Sequence, residues 1–92
     1  MEIKQFDDGK KGHFSAKEGD VKAGLMTYVW AGENTFIIEH TEGSPEFKGI
    51  GRKLLDEAVA FARENNKKII PLCPFAKKMF DKTPEIHDVL SK

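Results

Sequence analysis

The chain has 92 residues, and its 15 basic residues balance 15 acidic ones to a formal net charge of zero. This length predicts one domain over residues 1–92, and the charge balance excludes the broad basic surface that draws proteins onto nucleic acid or anionic membranes. The only cysteine, Cys73, excludes an internal disulfide, and no apolar run approaches the roughly 20 residues that cross a bilayer. The N-terminal residues turn polar at once and do not resemble a signal peptide, so we expect a cytoplasmic protein.

The first half of the chain has the pattern of β-strands. β-branched and aromatic residues accumulate over 21–30, and a Gly-Asp turn separates this segment from a shorter one at 12–18. A second turn at residues 32–34 leads into the alternating segment 35–42, and a further short strand is predicted over 2–6. These segments predict an antiparallel meander. Within residues 35–42, strict alternation assigns Phe36, Ile38 and His40 to one face and Ile37, Glu39 and Thr41 to the other.

The second half changes to a helical period. Its apolar stripe consists of Ile50, Leu54, Leu55, Ala58, Phe61 and Ala62. Asn65 and Asn66 are suitable helix terminators, and residues 67–73 predict a short buried strand. Pro74 is suited to the first turn of a second helix that ends near Lys82, and the final PEIHDVL predicts a further helical turn.

A strand, a helix and a second strand form the unit that returns the chain parallel to its start, with a right-handed crossover. Residues 35–42 and 68–72 are therefore predicted to be parallel neighbours. Ligands of open α/β sheets bind in the crevice beyond the carboxyl ends of such strands. That crevice would be lined by His40, Thr41, the turn at Gly49, and Cys73. The predicted class is α+β, with an antiparallel N-terminal meander, a central βαβ crossover and a second C-terminal helix.

The turn before the first helix reads Lys48-Gly49-Ile50-Gly51-Arg52-Lys53. Free amide N–H groups and the positive end of the helix dipole stabilise phosphate oxygens at such a position. Both glycines would let a ligand approach the backbone and would accept positive φ. The alternative is a tight turn with ordinary surface lysines. A P-loop is excluded by its spacing, and the dinucleotide fingerprint is excluded because Leu54 stands where it needs a third glycine or alanine.

This order of elements resembles the GCN5-related N-acetyltransferase (GNAT) family. The family motif Q/R-x-x-G-x-G/A aligns on residues 46–51, and EHTEGSPEFKGIG with IIPLCPFAKKMF resembles a minimal subfamily of short chains. The resemblance implies a truncated three-layer GNAT fold, with acetyl-coenzyme A as co-substrate and an amine as acceptor. It also implies pyrophosphate contacts along Phe47–Arg52 and pantetheine or acetyl contacts along Glu39–Thr41.

The coenzyme site implied by this resemblance consists of His40, Thr41, Phe47, Lys48, Gly49, Ile50, Gly51, Arg52, Lys53, Cys73, Phe75 and Lys77. Some of Lys77, Lys78 and Lys82 would meet the 3′-phosphate of coenzyme A, unless these lysines form only a solvated helix face. Two residues depart from the family pattern: Glu46 stands where Gln or Arg supplies a donor, and Phe80 stands where a tyrosine acts as general acid. The short chain also leaves little room for the helices and strands that build the family's acceptor pocket.

Three residues are placed to act on the acetyl group: Glu39, His40 and Cys73. Transfer from a thioester needs a neutral amine, a polarised carbonyl and a proton for the thiolate. His40 would accept a proton from the amine, unless it is a histidine satisfied within the sheet. Alternation puts Glu39 on the face opposite His40, so only a β-bulge would turn both towards the acceptor. Cys73 is either a core residue or, at a helix N-terminus, a thiolate that accepts acetyl and pairs with His40.

Three functions remain open at this point. The first is a small acetyl-CoA-dependent N-acetyltransferase with an unidentified amine acceptor. The second is a non-catalytic acyl-CoA-binding module, which Phe80 favours. The third is a small interaction domain that keeps the fold and has lost the ligand. No metal, nucleic acid or membrane partner is expected in any of them, and the oligomeric state is open.

Overall fold

The computed structural model describes residues 1–91, and its sheet follows the predicted meander. Five strands pair in chain order: β1 (Glu2–Asp7), β2 (Lys11–Glu18), β3 (Val21–Trp30), β4 (Thr35–Gly43) and β5 (Lys68–Pro71). The pairs β1–β2, β2–β3 and β3–β4 are antiparallel. Strand β5 lies parallel to β4, with Thr35 opposite Lys68 and Ile38 opposite Pro71. The predicted βαβ crossover is therefore confirmed.

Helices cover one face of this sheet. They are α1 (Ile50–Glu64), α2 (Pro74–Lys82) and a 3-10 helix (Pro84–Val89). Helix α1 packs against β2, β3 and β4, while α2 packs against β4 and β5. The predicted apolar stripe of α1 faces the sheet, where Leu54, Leu55 and Ala58 are fully buried. No helix of residues 1–91 has the length and apolar character needed to cross a bilayer.

The other face of the sheet carries no helix within residues 1–91, and we call it the open face. Its side chains alternate with the core residues along each strand. The half-buried members include His13, Ser15, Leu25, Thr27, Val29, Ile37 and Ile70. Phe6, on β1, is 51% exposed. Residues 1–91 therefore form a truncated version of the predicted three-layer arrangement, with two layers: the sheet and one layer of helices.

A hydrogen-bonded cluster ties β1 to β3. One oxygen of the Asp7 carboxylate accepts from the Tyr28 hydroxyl at 2.6 Å and from Trp30 Nε1 at 2.9 Å, and the other accepts from Gly9 N–H at 2.7 Å. Burial acts to raise the pKa of Asp7, but these three hydrogen bonds outweigh it and hold the pKa below the ordinary value of 3.8. Burial and the neighbouring carboxylate raise the pKa of Tyr28, so the hydroxyl remains the donor.

Asp7 is expected to contribute to the loss of stability in acid. Because its pKa is lower in the folded than in the unfolded chain, it stabilises the fold above pH 3.8, and this contribution is lost as the pH falls through the folded value. Asp7→Asn should therefore lower the free energy of unfolding at neutral pH and flatten its fall between about pH 5 and pH 3. Urea unfolding measures this fall. A wild-type slope in Asp7→Asn would contradict the assignment.

Candidate functional site

Strands β4 and β5 part at their carboxyl ends and leave a gap. Their last pair is Ile38 with Pro71, and both Leu72 and Cys73 donate their backbone N–H to Ile38 C=O at 3.1 Å. Beyond this point β4 continues to Gly43 while it stays paired with β3. On its other side, no strand within residues 1–91 pairs with this part of β4. Its backbone N–H and C=O groups therefore form a free edge with which an extended ligand can pair.

A β-bulge interrupts β4 at Glu39. Thr27 of β3 lies opposite His40, whereas the next residue along β3, Tyr28, lies opposite Ile38. Glu39 is therefore the additional residue, and it has no partner of its own in this pair. A bulge re-aims the side chains around it, because one strand has gained a residue that the other lacks.

Because of the bulge, His40 and Thr41 lie on the faces of β4 opposite to those predicted. The prediction that His40 shares the core face is wrong: His40 lies on the open face, with its Nε2 3.4 Å from Oε2 of Glu42. Thr41 lies opposite the core residue Met26 and faces the helices. Glu39 is exposed and lines a depression of the open face. The bulge therefore turns Glu39 and His40 to the same side of the sheet.

The chain passes from β4 into α1 through a helix start without a side-chain cap. Gly49 is the N-cap, with a φ of 78°. The first intrahelical bond runs from Lys53 N–H to Gly49 C=O at 3.2 Å. The N–H groups of residues 50–52 therefore have no helical acceptor. A Cβ at Gly49 would meet nothing within 4 Å, so the positive φ requires glycine here, and the space before these N–H groups is suited to an anion.

The side chains around this turn are mostly basic. No acidic residue occupies the first turn of α1. Arg52 Nε donates to Asp56 Oδ1 at 2.9 Å, which neutralises part of its charge. Lys48 and Lys53 are exposed and form no ion pair within the described chain. Glu46 is exposed at the head of the turn. The two lysines therefore supply the positive charge that is free to meet a ligand.

Gly51 is required by packing against α2. A Cβ at this position would lie 2.7 Å from Cζ of Phe75, well inside van der Waals contact. Of the two glycines, only Gly49 has a positive φ. Phe75 follows Pro74 in the first turn of α2. The contact therefore fixes how closely the N-termini of α1 and α2 approach each other.

Cys73 is the N-cap of α2 and is buried, with 6% of its surface exposed. Its Sγ accepts from Ala76 N–H at 3.4 Å and lies 3.4 Å from Oγ1 of Thr41. Because His40 points to the other face of the sheet, the predicted Cys73–His40 pair does not form. Thr41 and Cys73 meet instead, at the gap between β4 and β5.

The cap predicts different effects for two substitutions of Cys73. Serine retains a capping atom, whereas alanine leaves the Ala76 N–H without its acceptor. We expect Cys73→Ala to lower the free energy of unfolding by about 1 kcal/mol and Cys73→Ser to stay nearer to the wild type. Urea unfolding of both variants measures the difference. Equal losses in the two variants would mean that the sulfur does not act as a cap.

The remaining predicted residues lie in the turn before α1, on the surface of α2 and in the core. Phe47 is half-buried against the core, and its N–H donates to Ser44 C=O at 3.0 Å within the turn. Lys77 is exposed on α2. Phe80 is 1% exposed and packs inside the core. A side chain so enclosed contributes packing and supplies no proton to a ligand at the gap.

A cavity of about 650 Å³ lies at the other end of α1. Its lining includes Asp7, Trp30, Phe61 and Lys67, and Lys67 Nζ sits 5.7 Å from the centroid of the Trp30 ring. A helix C-terminus carries the negative end of the dipole and disfavours phosphate groups. The uncapped start of α1 and this larger cavity are at opposite ends of the helix. Within residues 1–91, no three potential metal ligands lie together.

Comparison with known proteins agrees with this geometry. A family model described as GCN5-related N-acetyl-transferase matches residues 13–89. The structure is similar to the NMR solution structure of a GCN5-like candidate N-acetyltransferase from Staphylococcus aureus, with 39% identity and a TM-score of 0.74. That match covers 98% of this chain and 87% of the other. No curated protein matches the sequence.

Two more distant structures share the fold. One is the crystal structure of a candidate GNAT acetyltransferase from Desulfovibrio desulfuricans, with 21% identity and a TM-score of 0.65. The other is a candidate GNAT acetyltransferase from Bacteroides thetaiotaomicron, with 20% identity and a TM-score of 0.53. The matches cover 80% and 85% of this chain but only 54% and 46% of those chains. This chain therefore spans about half the length of these two.

Proposed function

Because this chain belongs to the GCN5-related N-acetyltransferase family, we propose that it binds acetyl-CoA and transfers the acetyl group to an amine. The observation that carries the proposal is the continuity of two features: the gap between β4 and β5 leads directly to the uncapped start of α1 at Gly49. A free strand edge suits an extended amide-containing arm, and free helix N–H groups suit a pyrophosphate. Acetyl-CoA contains both groups in this order.

The pyrophosphate would bind at the turn. The N–H groups of residues 50–52 point away from their own helix and have no helical acceptor. Lys48 and Lys53 add charge, whereas Arg52 is shared with Asp56. The open space at Gly49 allows a phosphate oxygen to approach the backbone.

The pantetheine arm would pair with the free edge of β4 along residues 39–41. Its sulfur end would then lie near Thr41 and Cys73, whose side chains meet at the gap. Phe75 borders the same region through its contact with Gly51, and Lys77 on α2 is available to the 3′-phosphate. The bound co-substrate supplies an acetyl group activated as a thioester.

Glu39 is the proton acceptor in this proposal. It is exposed at the bulge, next to the free edge of β4, with His40 beside it on the same face. The Glu39 carboxylate takes a proton from the acceptor ammonium. The amine nitrogen then bonds to the carbonyl carbon as the carbon–sulfur bond breaks, and the second proton of the nitrogen passes through water to the departing thiolate. The products are the N-acetyl amine and coenzyme A with a free thiol.

A non-catalytic acyl-CoA-binding module is the second candidate. The burial of Phe80 favours it, because the phenyl ring at that position packs in the core and has no proton to donate. Both candidates keep the coenzyme site at the turn. They differ only in whether coenzyme A thiol is released when an amine is present.

Two measurements separate these candidates. Isothermal titration calorimetry with acetyl-CoA tests binding, and thiol release over a panel of amines tests transfer. Saturable binding with thiol release supports the transferase, whereas saturable binding without release on any amine supports the binding module. The absence of binding would overturn both and leave the small interaction domain.

An alternative route transfers the acetyl group first to the Cys73 thiol and then to the amine, and mass spectrometry can test it. An acetyl adduct on the intact protein after incubation with acetyl-CoA, lost in Cys73→Ala, would assign Cys73 as a transient acetyl carrier. We expect no adduct, because the thiol is buried and engaged with Ala76 and Thr41. Direct attack of the amine is then the remaining route.

A further inference from the structure

The open face contains a concave region that the coenzyme site leaves unused. On one side of it, Phe6, His13 and Thr27 lie opposite one another on β1, β2 and β3. Lys11, two residues before His13 on β2, lies next to this row. The depression has a volume of about 350 Å³, and its lining includes Phe6, Lys11, His13, Thr27 and Glu39. Small-molecule sites typically have volumes of roughly 300–1,000 Å³. The depression is therefore large enough for a small ligand.

One wall of this depression is an exposed aromatic pair. The rings of Phe6 and His13 stack with their centroids 5.4 Å apart and an interplanar angle of 23°. Phe6 remains 51% exposed although it is a large apolar side chain. Such a surface suits the apolar body of a ligand.

Two full charges of opposite sign line the same depression. Glu39 lies at the bulge of β4 and Lys11 at the start of β2, and neither forms an ion pair within the described residues. Two strand spacings separate β2 from β4, so the Cα atoms of these residues lie about 10–12 Å apart. Side chains of a strand stand roughly perpendicular to the sheet, so the two charged groups are about as far apart as these Cα atoms, which leaves room for a short ligand with a charge at each end.

We propose that this depression binds a small amine that also carries a carboxylate. Its ammonium group pairs with Glu39, its aliphatic body packs on Phe6 and His13, and its carboxylate pairs with Lys11. A diamine of the same length is disfavoured, because its second ammonium group would meet the Lys11 cation. This ligand would also be the acceptor of the acetyl group. That second step rests on the proposed function, whereas the binding of the ligand in the depression does not.

Amide chemical shifts of the isotope-labelled protein test the site without any need for turnover. The probes are δ-aminovalerate, pentylamine and cadaverine, which share a five-carbon chain and differ in the group at the far end. We expect δ-aminovalerate to shift the amides of Lys11, His13 and Glu39 and to bind at least about tenfold more tightly than the other two amines. Equal affinities, or no shifts at these amides with millimolar δ-aminovalerate, would overturn the proposal.

Lysine variants on one strand provide the matched comparison. Lys11→Met should remove the preference for δ-aminovalerate over pentylamine. Lys17→Met, on the same face of β2 but outside the depression, should retain it. A preference that survives in Lys11→Met would overturn the assignment of Lys11.

Thiol release with acetyl-CoA and the same three amines separates this proposal from the proposed function. Release that follows the binding order supports both. Binding in the expected order without release from any amine would overturn the acetyl transfer and leave the amine site standing. Release without discrimination among the three amines would overturn the amine site and leave the transferase standing.

Discussion

Replacement of Gly51 by valine is expected to weaken acetyl-CoA binding by about 100-fold, which corresponds to about 3 kcal/mol of lost contacts at the helix start. The reason is steric. A Cβ at Gly51 would lie 2.7 Å from Cζ of Phe75, so the half-buried ring or the start of α1 must shift. The N–H groups of α1 would then no longer face the gap between β4 and β5 in the same geometry. Isothermal titration calorimetry with acetyl-CoA measures the loss.

Two further variants keep this prediction interpretable. Ala60→Val adds the same side chain on an exposed position of α1 and should retain wild-type affinity. Phe75→Ala should restore much of the affinity lost in Gly51→Val, because it removes the ring that the new side chain strikes. Circular dichroism shows whether each variant folds. Wild-type affinity in a folded Gly51→Val protein would contradict the role assigned to this contact.

Replacement of Glu39 by glutamine is expected to lower kcat by about 100-fold or more, which is the usual contribution of a general base. The amide keeps the size of the side chain but does not accept the proton of the acceptor ammonium. Acetyl-CoA affinity should stay unchanged, because the pyrophosphate contacts lie at the turn and not at the bulge. Thiol-release kinetics with an excess of acetyl-CoA measure kcat directly.

Glu42→Gln is the matched control for this substitution. Glu42 lies on the same strand and face, where it pairs with His40 and Lys22 at 3.4 and 3.9 Å. Its loss should change kcat little. If Glu39→Gln retained full activity, or if both variants lost the same activity, another group would have to accept the proton.

The order of elements was accessible from the sequence because each element has a strong local signal. The apolar stripe of α1 and the proline that opens α2 fix both helices at their observed positions. The β-branched and aromatic run of residues 21–30 likewise predicts β3. The GNAT motif at residues 46–51 then links the turn to a family.

The bulge at Glu39 was not accessible in the same way. It arises from the pairing of β4 with β3, and a one-residue insertion in a register leaves no trace in the alternation of a single strand. The assignment of His40 to the core face failed for this reason. The Cys73–His40 pair failed with it, because the two side chains lie on opposite faces.

The structural roles of Gly51 and Cys73 could not be predicted from the sequence either, because they depend on contacts between residues that are distant along the chain. The requirement for glycine at position 51 comes from Phe75, and the burial of Cys73 comes from its position as the cap of α2. The depression on the open face joins Lys11 to Glu39 across three strands. Only alternation along β2, which puts Lys11 and His13 on one face, hints at this site from the sequence.

The central claim is that the turn at Gly49 and the free edge of β4 form one site for acetyl-CoA. Titration of acetyl-CoA into the isotope-labelled protein, followed by amide chemical shifts, tests it most directly. We expect the largest shifts at the amides of residues 48–53 and of Thr41, and little change in the distant turn at residues 31–34. Unperturbed amides at residues 48–53 with millimolar acetyl-CoA would contradict the claim.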